Sequence, residues 1–198
     1  MKRKEWSFKL VAAVVLVTAV INASAQQNKS KKLLPDHAKL QYAGGIGFFS
    51  IGAGYTNKKQ WLEGDVFYGY VPKSVGSVTT HIVTVKASFL PFKPIGQSLQ
   101  FRPLYLGVLA NYTFGKQYFG FTPENYPFNY YSRPTSFRAA AFVGEQLNKK
   151  LNDRFIKSIG VYYEVITYDT ELISFIDNMQ TLDWDDIVNV GFGLRVGF

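Results

Sequence analysis

The last stretch of the chain alternates strictly between apolar side chains and small or polar ones. The apolar set is Val188, Val190, Phe192, Leu194, Val196 and Phe198, interleaved with Asn189, Gly191, Gly193, Arg195 and Gly197. Successive side chains of a β-strand point to opposite faces of its sheet. The pattern therefore predicts a strand with one apolar face and one small or polar face.

The same alternation recurs along the rest of the chain, in runs of at least ten residues. These runs are 46–55, 61–71, 78–90, 99–112, 135–146 and 156–168. Strands of soluble proteins are usually about 5 or 6 residues long, whereas a tilted strand needs about 9 to 11 residues to cross a bilayer. The run lengths favour strands that span a membrane.

The composition agrees with a β-rich chain. Among 198 residues there are 17 Gly, 17 Phe and 13 Tyr, and aromatic residues favour strands. A mean hydropathy of −0.04 is too low for a protein with several membrane-spanning helices. Because the chain has no Cys, disulfides, thiol nucleophiles and cysteine zinc sites are excluded.

The N-terminus has the three parts of a secretory signal peptide. Basic residues precede the apolar run 10–21, and Ala23-Ser24-Ala25 offers small residues for cleavage. About 12 apolar residues are too few to span a bilayer as a helix, although an uncleaved anchor is the alternative. We predict a signal peptide over 1–25, a flexible lead-in over 26–37 and one β domain over 38–198.

An exported chain with long alternating strands predicts an all-β fold, an antiparallel up-and-down transmembrane β-barrel. A sheet can span lipid only if it closes, because every backbone polar group must be paired there. The terminal strand, with its final aromatic Phe198, resembles the C-terminal signature of bacterial outer-membrane barrels. Segments 45–55 and 68–72 also resemble small members of that class. The resemblance implies an outer-membrane location, contact with outer-membrane lipid, and recognition of the last strand by the barrel-assembly machinery.

We expect eight strands, because bacterial single-chain barrels have an even number. The eighth would be a first strand over 38–44; alternatively, 39–56 is one bent strand and the missing strand lies within 169–183. Placing the C-terminus in the periplasm gives periplasmic turns at 57–60, 91–98 and 147–155. The extracellular loops are then 40–46, 72–77, 113–134 and 169–186. In the last loop Asp169 is expected to cap a short helix with an apolar stripe.

Charged residues on the non-lipid face predict a polar network in the lumen. They are Glu63, Asp65, Lys86, Arg138, Glu164 and Arg195. A charge facing lipid is costly, and an eight-stranded barrel is only just wide enough for its own side chains. A filled, salt-bridged interior is the main hypothesis, and a narrow pore or a small-ligand pocket is the alternative. Inner-face glycines either leave space or permit curvature.

Aromatic residues occur in two settings. Those near the strand ends on the apolar face predict an interfacial girdle: Tyr68, Tyr70, Tyr112, Phe114, Phe137 and Tyr163. Others make the 113–134 loop a candidate contact surface: Tyr118, Phe119, Phe121, Tyr126, Tyr130 and Tyr131. Part of this loop could instead extend the strands above the membrane.

Enzyme and ligand motifs are weak. Lipid A deacylases of this class have a His-x-Ser pattern, but Val83 is found two residues after His81, the only candidate base near the outer leaflet. No metal-ligand spacing and no nucleotide-binding motif is present, so neither metal nor cofactor is expected. The net charge of +8, with no dense basic run beyond Lys32, gives no reason to expect a nucleic-acid partner. The predicted role is structural or surface-interactive, with a deacylase-like hydrolase and a pore as alternatives.

Overall fold

The structure is a computed structural model that describes residues 34–115, 117–119, 135–178 and 183–198. Asp36–Phe198 form one compact unit, which we call the second unit, and the description below concerns it. The signal peptide predicted over 1–25 lies outside the described residues and stays a prediction.

Eight strands make up the second unit. They are β1 (His37–Ala43), β2 (Phe49–Thr56), β3 (Leu62–Val71), β4 (Thr80–Phe89), β5 (Leu99–Phe114), β6 (Phe137–Lys150), β7 (Ser158–Tyr168) and β8 (Asn189–Gly197). Two helices, α1 (Lys73–Gly76) and α2 (Asp169–Asp177), and a 3₁₀ turn (Trp184–Ile187) lie in the connections. In the described ranges no helix is both long and apolar enough to cross a membrane.

The strands form one closed antiparallel barrel. Each strand pairs with its neighbours in the chain, and β1 pairs with β8, where Leu40 lies opposite Leu194. The predicted all-β, up-and-down barrel of eight strands is confirmed. Residues 37–56 form two strands joined by a turn at 44–48, so the alternative of one bent strand is wrong.

The connections differ between the two ends of the barrel. The end with turns 57–61, 90–98 and 151–157 also carries Asp36 and Phe198, and we call it the lower end. The upper end carries the connections 44–48, 72–79, 115–136 and 169–188. The two longest connections, 115–136 and 169–188, both lie at the upper end, as the sequence predicts. Asp169 is the first residue of α2 rather than its cap; Tyr168 precedes the helix, and its backbone N–H donates to Glu171.

Side chains alternate between the outside and the inside along the strands. Large apolar residues on the outside include Ile51 and Val108, which are 60% and 61% exposed. The inside carries buried polar and charged residues such as Lys39, Asp65 and Lys86. The distribution is the reverse of that in a water-soluble protein, where buried charges are rare unless paired.

One irregularity in β5 reverses this alternation. The β5–β6 register shifts between Arg102 and Tyr105, and Pro103 lies inside the shift. A β-bulge adds a residue to one strand, so that the residues on either side of it change faces relative to a regular count. Arg102 has an even number, like the outward residues Leu106 and Val108, so regular alternation would place it outside. It is instead buried inside the barrel.

The inner-face glycines make room for aromatic side chains. Four cross-strand pairs place a glycine directly opposite an aromatic ring: Gly52 with Phe67, Gly107 with Phe142, Gly144 with Tyr105, and Gly193 with Tyr162. A Cβ atom on Gly144 would lie 2.7 Å from Cζ of Tyr105, closer than packed carbon atoms can approach. The space left by these glycines is therefore filled by the barrel's own side chains.

Candidate functional site

Two acids, two bases and a histidine form a cluster in the lower half of the barrel, which we call the lower cluster. Its members are His37, Lys39, Glu63, Asp65 and Arg195. The Lys39 ammonium donates to both carboxylates, at 2.9 Å to Oδ2 of Asp65. Arg195 Nη2 donates to Oε2 of Glu63 at 3.0 Å, and His37 Nε2 lies 2.6 Å from Oδ1 of Asp65.

The charges of the two acids and the two bases in the lower cluster sum to zero, without a charge on His37. Two buried carboxylates face one ammonium and one guanidinium, as buried charges require. His37, Glu63 and Asp65 each offer a ligand atom, all within 4.8 Å of one another, a spacing that a metal ion could use. Lys39 already supplies the positive charge between the carboxylates, so a cation would have to displace it. The cluster is built as an ion-pair network.

A second ion pair lies in the middle of the barrel. Lys86 Nζ donates to Oε2 of Glu164, and the hydroxyl of Tyr105 donates to Oε1 at 3.1 Å. The ammonium lies 4.4 Å from the ring centroid of Phe142 and 5.4 Å from that of Phe67, within the range of cation–π attraction. All five side chains are buried, so ion pair and rings together fill this part of the lumen.

The turn between β1 and β2 folds into the upper end of the barrel. Gly44 and Gly45 adopt φ angles of +73° and +74°, which glycine tolerates at little cost. These angles turn the completely buried Ile46 inward, where its carbonyl accepts from Ser50 Oγ at 3.1 Å. Asn111 Nδ2 donates to the Gly45 carbonyl and to the Tyr168 hydroxyl. The turn thus closes the interior from above.

The interior below the lower cluster is open. A polar cavity of about 420 Å³, which we call the lower vestibule, lies between the lower cluster and the short turns. Glu63, Arg102 and Arg195 form its inner wall, and Lys58 and Lys157 lie at its exposed rim. The lower cluster bounds the inner end of the vestibule, and the Lys86–Glu164 ion pair, the rings and the Ile46 turn lie in the barrel above it.

The six charged residues predicted for the lumen do not form one network. Glu63, Asp65 and Arg195 belong to the lower cluster, and Lys86 pairs with Glu164. Arg138 lies near the upper end of β6, opposite Asn111, and is half-buried. Across the described ranges no ion pair connects Arg138 with the other five.

His81 lies on the outside of the barrel, in β4. Its Nδ1 is 2.6 Å from the Tyr68 hydroxyl, and its ring contacts those of Tyr68 and Tyr70. The six residues of the predicted girdle are all exposed. In the described part of the chain, His81 has no serine hydroxyl and no carboxylate as a partner.

The predicted loop surface is only partly described. Tyr118 and Phe119 are half-buried, and the Phe119 carbonyl accepts from the backbone N–H groups of Thr135 and Ser136. Phe121, Tyr126, Tyr130 and Tyr131 lie outside the described residues. The other long connection exposes Leu172, Ile173, Ile176 and Trp184.

Several interior residues were not predicted. His37, Lys39 and Gln41 alternate with Ala38, Leu40 and Tyr42, so the period-two rule identifies this inner face once β1 is known to begin at His37. Tyr105 and Tyr162 lie on faces that the pattern assigns to the inside, but their hydroxyl partners, Glu164 and Gln41, depend on the register. The alternation alone does not identify Arg102 as an inward residue, because the bulge reverses the pattern there.

Comparison with known proteins does not assign the chain to a family. No protein-family model matches the sequence, and no curated protein matches it either.

Proposed function

We propose that this chain is a transmembrane β-barrel of the bacterial outer membrane, with a filled interior and a structural or surface-interaction role. The observation that carries the proposal is the reversed polarity of the barrel, with apolar side chains outside and ion pairs inside. Large apolar surfaces are stable when acyl chains rather than water surround them.

Barrel dimensions support the same proposal. β3 and β4 have 10 residues each, and ten residues rise about 25 Å along the barrel axis when tilted by about 40°. That height suits the apolar band of an outer-membrane barrel. Exposed aromatics near the strand ends, such as Tyr70 and Phe114, suit the interface between acyl chains and headgroups.

Export and assembly complete the proposal. The predicted signal peptide would direct the chain across the inner membrane, and the last strand, ending at Phe198, would be recognised by the barrel-assembly machinery. The upper loops would then face the outside of the cell. Exposed apolar residues of the last loop, such as Leu172 and Trp184, suit contacts with a surface partner. The filled lumen favours this role over that of a pore.

Matched arginine substitutions test the membrane proposal. Val85 on the outside of β4 and Val75 in α1 are equally exposed, at 55% and 56%. Arginine at Val85 would face acyl chains and cost about 2 to 4 kcal/mol, whereas a position beyond the membrane costs about 0 to 1 kcal/mol. We expect Val85→Arg to lower barrel assembly in cells and Val75→Arg to leave it unchanged.

The readouts are the amount of heat-modifiable barrel in outer-membrane fractions and the unfolding free energy of residues 26–198 in lipid vesicles. Equal tolerance of both substitutions would argue against a lipid-facing β4. A mature protein that stays soluble and monomeric without detergent would overturn the proposal.

A further inference from the structure

The lower vestibule carries more positive than negative charge. Its wall contains four cationic side chains, Lys58, Arg102, Lys157 and Arg195, against two acidic ones, Glu63 and Asp36. Counting a carboxylate at the chain end on Phe198, which also lines the cavity, still leaves a positive excess. A concave wall with one sign of charge attracts ligands of the opposite sign.

Among the described residues, the two acidic side chains of the vestibule form no ion pair with Arg102, Lys58 or Lys157. Glu63 accepts hydrogen bonds from Lys39, from Arg195 and from the Thr56 hydroxyl at 3.0 Å. Asp36 accepts the backbone N–H of Thr56 at 2.8 Å. Glu63 is therefore satisfied by its own partners, and Asp36, which keeps acceptor capacity, forms no ion pair with a cation of the wall among the described residues.

Arg102 is a buried cation of the wall that has no counterion among the described residues. It is 8% exposed, and its Nη1 donates to the Phe92 carbonyl at 3.1 Å. Among the residues that the structure describes, none forms an ion pair with Arg102. On the same wall, the buried Nε of Arg195 has no hydrogen-bond partner within those residues. Leaving charged donors unpaired is costly, and the Arg102 guanidinium, with one hydrogen bond and no ion pair, has donor capacity that an anion would use.

We propose that the lower vestibule binds a small soluble anion with two or more carboxylate or phosphate groups. Guanidiniums match the planar, two-oxygen geometry of these groups. A cavity of about 420 Å³ falls within the range of about 300 to 1,000 Å³ typical of small-molecule sites. The polar wall lies inside the ring of strands, which suits a free anion better than a lipid with its acyl chains.

Calorimetry tests this site. Folded residues 26–198 in zwitterionic detergent are titrated with citrate and with pyrophosphate, and we expect binding that weakens as salt screens the charges. Losing a hydrogen bond to a charged group costs enough to lower affinity about tenfold, which is the effect expected of Arg102→Gln. Arg102→Lys should keep part of the affinity. Lys73→Gln, which removes a cation from α1 at the upper end, should bind like the wild type.

Lys157→Gln at the rim provides a second test of the site in case the Arg102 variants misfold. It removes a cation of the vestibule from an exposed position and should lower affinity while heat modifiability remains normal. Phosphatidylglycerol added to the micelles tests a lipid headgroup as the source of the anion. Binding of that lipid alone, no heat with either soluble anion, or equal affinity in Arg102→Gln and Lys73→Gln would overturn the proposal.

Discussion

Lys86 and Glu164 form an ion pair inside the barrel although 78 residues separate them in the sequence. The pair connects β4 with β7, which are not neighbours in the sheet. It therefore spans the lumen, and its strength depends on the closure of the whole barrel.

Glu164→Gln should destabilise the barrel strongly. The substitution keeps an acceptor for Tyr105 but leaves the Lys86 ammonium buried without a counterion, a change that costs about 3 to 5 kcal/mol. The double variant Lys86→Met/Glu164→Gln removes both charges and should lose much less. Urea unfolding in micelles measures both free energies. A loss below about 1 kcal/mol in Glu164→Gln would show that the pair is not needed.

The glycines opposite aromatic rings should not tolerate even one methyl group. In Gly52→Ala the new Cβ would lie 2.5 Å from Cδ1 of Phe67, and overpacking of this kind costs about 1 to 3 kcal/mol. Gly64 in β3 provides the control, because an added Cβ there meets no atom within 4 Å of it among the described residues. Unfolding free energies in micelles compare the two alanine variants. Equal stability would mean that Phe67 can move aside.

The β6–β7 turn should respond to acid. The backbone N–H groups of Ile156 and Phe155 donate to Oδ1 of Asp153, at 3.0 and 2.8 Å. These two hydrogen bonds hold the pKa of Asp153 below its ordinary value. The contribution to stability is present above the unfolded-state pKa, about 4, and is lost as the pH falls through the lower folded-state pKa. A carboxyl NMR titration of folded and urea-unfolded protein measures both values. A folded-state pKa at or above the unfolded one would contradict this.

The strands and most of their faces were predictable from the sequence because an apolar outside and a charged inside impose a period of two. Alternation does not determine the register between strands, and the register is what brings Lys86 to Glu164 and places Gly193 opposite Tyr162. A local rule also fails where the backbone departs from regularity. The bulge at Pro103 reverses the alternation of inward and outward side chains, so that Arg102 lies inside the barrel. Gly44 and Gly45, with their positive φ angles, turn Ile46 into the lumen.

His81→Ala should leave lipid A unchanged. The imidazole pairs with the Tyr68 hydroxyl, and a hydrolase of the serine type needs its base beside the nucleophile. Mass spectrometry of lipid A from cells making the wild type, His81→Ala or Tyr68→Phe should show the same acyl chains in all three. A missing acyl chain that reappears only in His81→Ala would establish the hydrolase instead.

The purified barrel should not conduct ions. An ion passing through it would have to displace the lower cluster, then the layer of Lys86, Glu164, Phe67 and Phe142, and finally the turn at Ile46. Each of these layers is packed or paired, and an eight-stranded barrel has no room for a bypass. Planar bilayers containing the wild type should stay silent under conditions in which a known porin conducts. Conductance steps whose size changes in Arg195→Gln, in the inner wall of the lower vestibule, would show that the interior opens.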